Sequence, residues 1–334
     1  MNSRDSHPPQ DPSGSAAAVG AGVAPQALAA AVEEALEAGR AAALRGTPAS
    51  YIPELARADP AWVAVAVSTL DGHEVVAGDA GVRFTLQSVS KVFSLACLLR
   101  AGDATLWDRV QMEPSGDAFH SIVRLEEEKG RPRNPFINAG AIVVSSRLPG
   151  GDAAGRIAHL RRFLQDAAGS GSAAFELDAA VYESECRTGF RNRALANYMK
   201  HFGVIDDPFD AADGYFRQCA LTANIAELAR VGLFLANAGQ DPITRNRLLA
   251  ARDNRMIVAL MSTCGLYDEV GRFAVRVGIP AKSGVSGGVL GIVPGRMAIA
   301  CYGPALGPVG NSLAGMTMLE VIVDRLGLSV FEAR

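Results

Sequence analysis

Apolar residues return every three or four positions from Pro25 onward, with Leu28, Val32 and Leu36 on one face and Glu33 and Glu34 off it. That spacing predicts an amphipathic helix, with Gly39 near its stop. The period then shortens to two through Val63, Val65 and Val67, a strand pattern, and Asp71-Gly72 supplies a hairpin turn into Glu74-Val75-Val76. From Phe84 the chain reads as extended until a turn at Gln87-Ser88. Beyond it Val92, Leu95, Ala96 and Leu99 recur at helical spacing. The middle of the chain, about residues 100 to 265, is mainly helical in pattern, with stripes at Ile157, Leu160 and Leu164 and at Ile225, Leu228 and Ala229. After Tyr267 alternation resumes in Phe273-Ala274-Val275-Arg276-Val277, which predicts a strand, and further strands are expected at Val289 to Val293 and Met297 to Tyr302. The last element reads as a helix with Met316, Leu319, Val323 and Leu326 inward, stopped by Gly327.

Strands at both ends thus frame a helical middle. The economical arrangement is an α/β fold of the α+β type: one mostly antiparallel sheet from N- and C-terminal strands, covered by the terminal helices, with a helical lobe inserted. Residues 1–24, rich in Pro, Ser, Gly, Asp and Ala, are expected to be a disordered leader. Residues 25–330 are expected to form a single domain, with a sheet lobe over about 40–87 and 265–330 and a helical lobe over about 88–264. No internal repeat stands out.

Composition narrows the function classes. The chain has 334 residues, 49% of them hydrophobic, which is enough for a large core. Its 32 basic and 35 acidic residues leave a net charge of −3 and no long basic run, which argues against nucleic acid or an anionic membrane as partner. Five scattered cysteines, Cys97, Cys186, Cys219, Cys264 and Cys301, give neither a disulfide framework nor metal-ligand spacing and point to a reducing, cytoplasmic setting. The weakly apolar Ala16 to Ala24 segment is no secretory core, and no run long enough to span a bilayer is present.

Chemistry enters at Ser88 and Lys91. Three residues apart at a helix start, they place an amine where it can reach a hydroxyl. A serine must lose its proton as it attacks, and a lysine buried away from water loses its charge readily enough to take that proton. Unpaired N–H groups at the helix start favour an oxyanion nearby. Ser-x-x-Lys also arises by chance, with the serine as a helix cap and the lysine solvated. A second constellation raises its weight: Pro280-Ala281-Lys282-Ser283-Gly284-Val285-Ser286-Gly287-Gly288 is a glycine-rich turn whose backbone can approach a ligand. Serine acyl-transfer enzymes of the penicillin-recognising type pair Ser-x-x-Lys with a Lys-Thr/Ser-Gly strand.

Further segments carry a closer resemblance. In order they are Asp71-Gly72 and Gly78-Asp79; Phe84-Thr85-Leu86-Gln87-Ser88-Val89-Ser90-Lys91; Glu113-Pro114-Ser115-Gly116; and Asn134-Pro135-Phe136-Ile137-Asn138-Ala139-Gly140-Ala141-Ile142. Then come Ser184-Glu185, Arg191-Asn192, Tyr215-Phe216 with Gln218-Cys219, Cys264-Gly265-Leu266-Tyr267-Asp268, and Gly278 to Val285. From about Tyr51 to Gly315 the chain resembles the serine-dependent glutaminase family, which has the β-lactamase/transpeptidase-like fold.

The resemblance implies hydrolysis of L-glutamine to L-glutamate and ammonia, with Ser88 as nucleophile, Lys91 as its base, and Tyr51 and Tyr267 as proton-relaying tyrosines. It implies an oxyanion hole from the backbone N–H groups of Ser88 and Val285. Asn138, Glu185, Asn192 and Tyr215 would hold the amino-acid end of the substrate, as a zwitterion requires: an anion for its ammonium, neutral donors for its carboxylate. A homodimer or homotetramer is implied, and no cofactor. Two departures from the family pattern, His120 in Phe119-His120-Ser121 and the stretch Cys219 to Asn224, are expected to touch no catalytic residue. The rival readings are a penicillin-recognising acyl-transfer enzyme and a glutamine-binding module without catalysis.

Overall fold

The computed structural model describes residues 23–115, 122–169 and 174–332. Residues 1–22 of the expected leader, Gly116, and the Phe119-His120-Ser121 departure lie outside the described residues.

β1 (Ala64–Thr69) is buried on both faces, and the two faces differ in size. Val63, Val65 and Val67 point to one core, whereas Ala64 and Ala66 point to another. Asp71 and Gly72, the latter at φ 91, turn the chain into β2 (Glu74–Gly78), antiparallel to β1. A short β3 (Phe84–Thr85) pairs with β4 (Thr222–Ala223), a strand that the helical pattern of the middle hid. The C-terminal strands β5 (Ala281–Ser283), β6 (Gly288–Val293) and β7 (Met297–Tyr302) complete a five-stranded antiparallel sheet of order β2-β1-β7-β6-β5.

The first helix, Pro25–Ala43, and the last, Leu313–Leu326, cover the valine face of this sheet, packing Leu28, Val32, Ala35, Met318, Leu319, Ile322 and Val323 onto it. The opposite face, with Ala66, Leu290, Ile292, Ala298 and Ala300, receives the helical lobe through helix Ile225–Ala236. Small residues set that distance: a Cβ on Gly232 would stand 2.7 Å from Leu290 Cδ1. The sheet is therefore a middle layer, and β3–β4 stitches the start of the nucleophile segment to the helical lobe. This is the mixed, mostly antiparallel arrangement expected of the β-lactamase-like class.

The first helix runs to Ala43, one turn past Gly39, which is glycine because a Cβ there would meet Met318 Cγ at 2.7 Å and Val63 Cγ1 at 3.2 Å. One local expectation is overturned. The Phe273 to Val277 segment is helical, Val270–Arg276, and not a strand. Its apolar residues fit a spacing of four: Phe273 and Val277 are buried while Val275, between them, is 89% exposed. Gly278, at φ 72, ends it by donating its N–H back to Phe273 O.

Candidate active site

Ser88 sits in a 3-10 turn, Gln87–Val89, that runs directly into helix Ser90–Arg100. The turn is strained at Gln87, whose φ of 46 lies in the left-handed region. Buried side chains hold it there: Ser90 Oγ donates to Gln87 O at 2.6 Å, and Gln218 Nε2 donates to Ser90 Oγ at 3.1 Å. The glycine-rich turn after β5 packs against the same place. A Cβ on Gly284 would meet Leu86 O at 2.8 Å, so only glycine lets the backbone carrying Val285 come this close to Ser88.

Lys91 lies one helical turn deeper and is 1% exposed. Its Nζ donates to Phe136 O at 3.1 Å and to Asn138 Oδ1 at 2.8 Å, and not to the Ser88 hydroxyl. Burial drops its pKa to about 8, with Cys219 and Glu185 pulling part of the way back. A neutral amine has two N–H groups and one lone pair. With both hydrogens held by the 136–138 segment, the lone pair stays free to accept a proton. Asn134 fixes those acceptors by taking the Phe136 and Ile137 N–H groups on its Oδ1.

Tyr267 approaches from behind. Its hydroxyl faces the Ser88 and Ser283 hydroxyls; burial raises its pKa to about 12, and the two serines work against the rise. Like Gln87 it has a left-handed backbone, φ 52. Lys282 is buried beside it, with Nζ 4.9 Å from the Tyr267 ring centroid and donating to Ser283 O at 2.6 Å. Burial, then the charge of Lys91, depresses the Lys282 pKa well below the usual lysine range.

In front of Ser88 opens a cavity of about 410 Å³. Tyr51, Ser88, Asn138, Glu185, Asn192, Tyr215 and Val285 all line it, so seven of the nine residues singled out from sequence share one wall. Lys91 lies below that wall, and Tyr267 lines a neighbouring cavity of about 310 Å³ with Asn134, Phe136 and Ile137. The polar side chains form one network: Tyr215 Oη donates to Asn138 Oδ1 at 3.1 Å, and Asn138 Nδ2 donates to Asn192 Oδ1 at 3.0 Å. Glu185, 6% exposed, has its pKa raised to about 7 by burial, against the pull of a Gln87 hydrogen bond and the Lys91 charge. Tyr51 behaves differently. It is 58% exposed, yet its hydroxyl end is buried near Tyr267 and Glu185, and its pKa is raised well above the usual tyrosine range.

Sequence reading missed several members of this site. Gln87, quoted only as part of a motif, is the donor that faces Glu185. Gly189 lets two helices meet there, since a Cβ would stand 2.5 Å from Glu185 O and 2.5 Å from the Phe216 ring. Cys219 shows how the Cys219 to Asn224 departure bears on the pocket: its buried thiol faces Tyr215 one helical turn away and lies in the field of Lys91 and Glu185. Its i, i+4 spacing to Tyr215 on one helix was the available signal. Among the described residues no cluster of His, Cys, Asp and Glu could hold a metal ion, and no helix is long and apolar enough to cross a membrane.

Comparison with known proteins identifies the family. The family model described as Glutaminase matches residues 46–331. A glutaminase of Rhodopseudomonas palustris is 52% identical over 290 residues, 86% of this chain and 92% of its own. One of Agrobacterium fabrum is 47% identical over 293 residues, covering 86% of this chain and 93% of its own. Among solved structures, the probable glutaminase ybaS superposes with a TM-score of 0.88 at 37% identity, over 93% of this chain and 100% of that one. A probable glutaminase from Bacillus subtilis complexed with 6-diazo-5-oxo-L-norleucine superposes with a TM-score of 0.82 at 34% identity, over 91% and 97% of the two chains.

Proposed function

The chain belongs to the glutaminase family, and from that premise we propose how its residues divide the work of hydrolysing L-glutamine to L-glutamate and ammonia. The observation that carries the assignment is the convergence of Ser88, the buried Lys91 with its amine tied to Asn138, and a carboxylate-and-amide pocket on one small cavity.

Glutamine enters with its α-ammonium toward Glu185 and its α-carboxylate toward the Asn192 amide and Tyr215, whose hydroxyl gives up its bond to Asn138 Oδ1 in order to donate. An arriving ammonium favours the ionised form of Glu185, so substrate binding relieves part of what burial costs that carboxyl. The side-chain amide then lies over Ser88. Ser88 Oγ attacks the amide carbon while its proton passes to Lys91, with Tyr267 beside Ser88 steadying the hydroxyl. The oxyanion is received by the backbone N–H groups of Ser88 and Val285, each such donor contributing about 3 kcal/mol to the transition state. Lys91, now protonated, returns the proton through the tyrosines to the departing nitrogen, and ammonia leaves a glutamyl ester on Ser88. Water, deprotonated by the same amine, releases glutamate. No step calls for a cofactor.

Residues 25–330 act in this reading as one catalytic unit, in a homodimer or homotetramer. Five unpaired cysteines support a reducing, cytoplasmic setting. Ammonia release from glutamine and asparagine, run beside D-alanine release from a D-alanyl peptide and penicillin labelling, tests the assignment. Ammonia from glutamine, with no D-alanine release, is expected. Penicillin labelling with no release from glutamine sinks it, as does glutamine binding without turnover.

A further inference from the structure

Asn311 lies just before the last helix, 2% exposed and distant in sequence from every residue given a role above. Its side-chain amide nonetheless joins the segments that build the back of the site. Oδ1 accepts from Ser283 Oγ at 2.6 Å, while Nδ2 donates to Leu266 O at 3.2 Å and to Glu269 Oε2 at 2.6 Å. Leu266 and Glu269 bracket Tyr267, and Ser283 is the last residue of β5, two before Val285.

The donor and acceptor inventory fixes how this amide is oriented. A peptide carbonyl and a carboxylate only accept, so the nitrogen must face them and the carbonyl must face Ser283. That carbonyl takes the one proton the Ser283 hydroxyl has. That bond fixes Ser283 beside the Tyr267 hydroxyl. Tyr267 is also held at a backbone angle that side chains rarely adopt, and the bond from Asn311 to Leu266 O ties down the turn that carries it.

We propose that Asn311 is a positioning residue: it anchors the turn carrying Tyr267 and fixes Ser283 at its side, so that the tyrosine hydroxyl is held beside Ser88. The inference rests on the role given to Tyr267 above and deepens it, because it names what holds the tyrosine in place.

The test is a double-mutant cycle on glutamine hydrolysis, with kcat and KM measured for the wild type, Tyr267→Phe, Asn311→Asp and the double variant. Asn311→Asp keeps the shape but turns an acceptor toward Leu266 O and Glu269. It is expected to lower kcat about 10- to 30-fold with KM held within about twofold, and to cost nothing further in a Tyr267→Phe background. Glu269→Gln frees the amide to flip and gives a smaller loss of the same kind, which preserves the test if Asn311→Asp does not fold. Losses that multiply in the double variant, an unchanged kcat, or a rise in KM alone overturn the proposal while the reading of Tyr267 stands. A Tyr267→Phe protein with wild-type kcat removes that reading, and this inference with it.

Discussion

Lys91 and Glu185 are opposite charges buried in one site, and for both of them burial outweighs mutual attraction. The amine is held down at about 8 and the carboxyl up at about 7. Each group must lose a proton to work, Glu185 to receive an ammonium and Lys91 to receive the Ser88 proton. In the free enzyme both ionisations therefore shape the acid limb: log kcat/KM should fall with slope one from about pH 8 to 7 and approach slope two below. In the complex Glu185 is already paired, so kcat should fall with slope one, governed by Lys91 alone. Steady-state kinetics across about pH 5 to 10 check this. A kcat profile flat through pH 8 would show that Lys91 is not the base.

The same pair makes a stability prediction of definite sign. The folded pKa of Glu185 lies above its ordinary value of 4.5, so the carboxyl favours folding least where it is ionised. That deficit is absent below about pH 4, grows as pH rises from 4.5 to 7, and is complete above. Glu185→Gln should thus stabilise the protein by on the order of 3 kcal/mol at pH 8 and by nothing at pH 4, while weakening glutamine binding. Denaturant unfolding at the two pH values measures it. Equal stability at pH 8 would contradict the burial argument.

Asn138 accepts from Lys91 at 2.8 Å, and Asn138→Asp places a negative charge there without changing shape. An anion beside the amine raises its pKa, by about 1 to 2 units at this distance. The acid limb of kcat should move upward by that amount, with activity largely recovered at high pH. An unmoved midpoint would mean that Asn138 does not orient the catalytic amine.

Gly140 tests the scaffold beneath those residues. A Cβ there would stand 2.0 Å from Asn134 O, and Asn134 is the residue that fixes the Phe136 and Ile137 N–H groups. Gly140→Ala should destabilise the fold by about 1 to 3 kcal/mol through overpacking and backbone shift, read as a lowered thermal midpoint with a fall in kcat. A variant of wild-type stability would refute the close approach.

Elements whose large apolar residues follow one period were readable from sequence, even where every position is buried. β1 alternates, helix Ser90–Arg100 repeats at three and four, and β7 falls where its pattern places it. Phe273 to Val277 was not readable, because apolar residues at 273, 275 and 277 satisfy both periods and only burial singles out 273 and 277. Within the site, side chains embedded in continuous motifs, such as Asn138 and Glu185, were found through the motif. What escaped was relational. Gln87 matters through a carboxylate nearly a hundred positions away, and Asn311 through segments that tertiary packing brings to it. Their residue types are as common in turns as in active sites, so no local signal marked them.

The central claim is that Ser88 forms the covalent bond to substrate, and its most direct test is peptide mapping by mass spectrometry after reaction with 6-diazo-5-oxo-L-norleucine. One adduct of the wild-type protein is expected, on the peptide carrying Ser88, with none on Ser88→Ala, which should stay folded and lose ammonia release by several orders of magnitude. An adduct on the Cys219 thiol instead, or a Ser88→Ala protein that still turns over glutamine at a near-normal rate, would contradict the account.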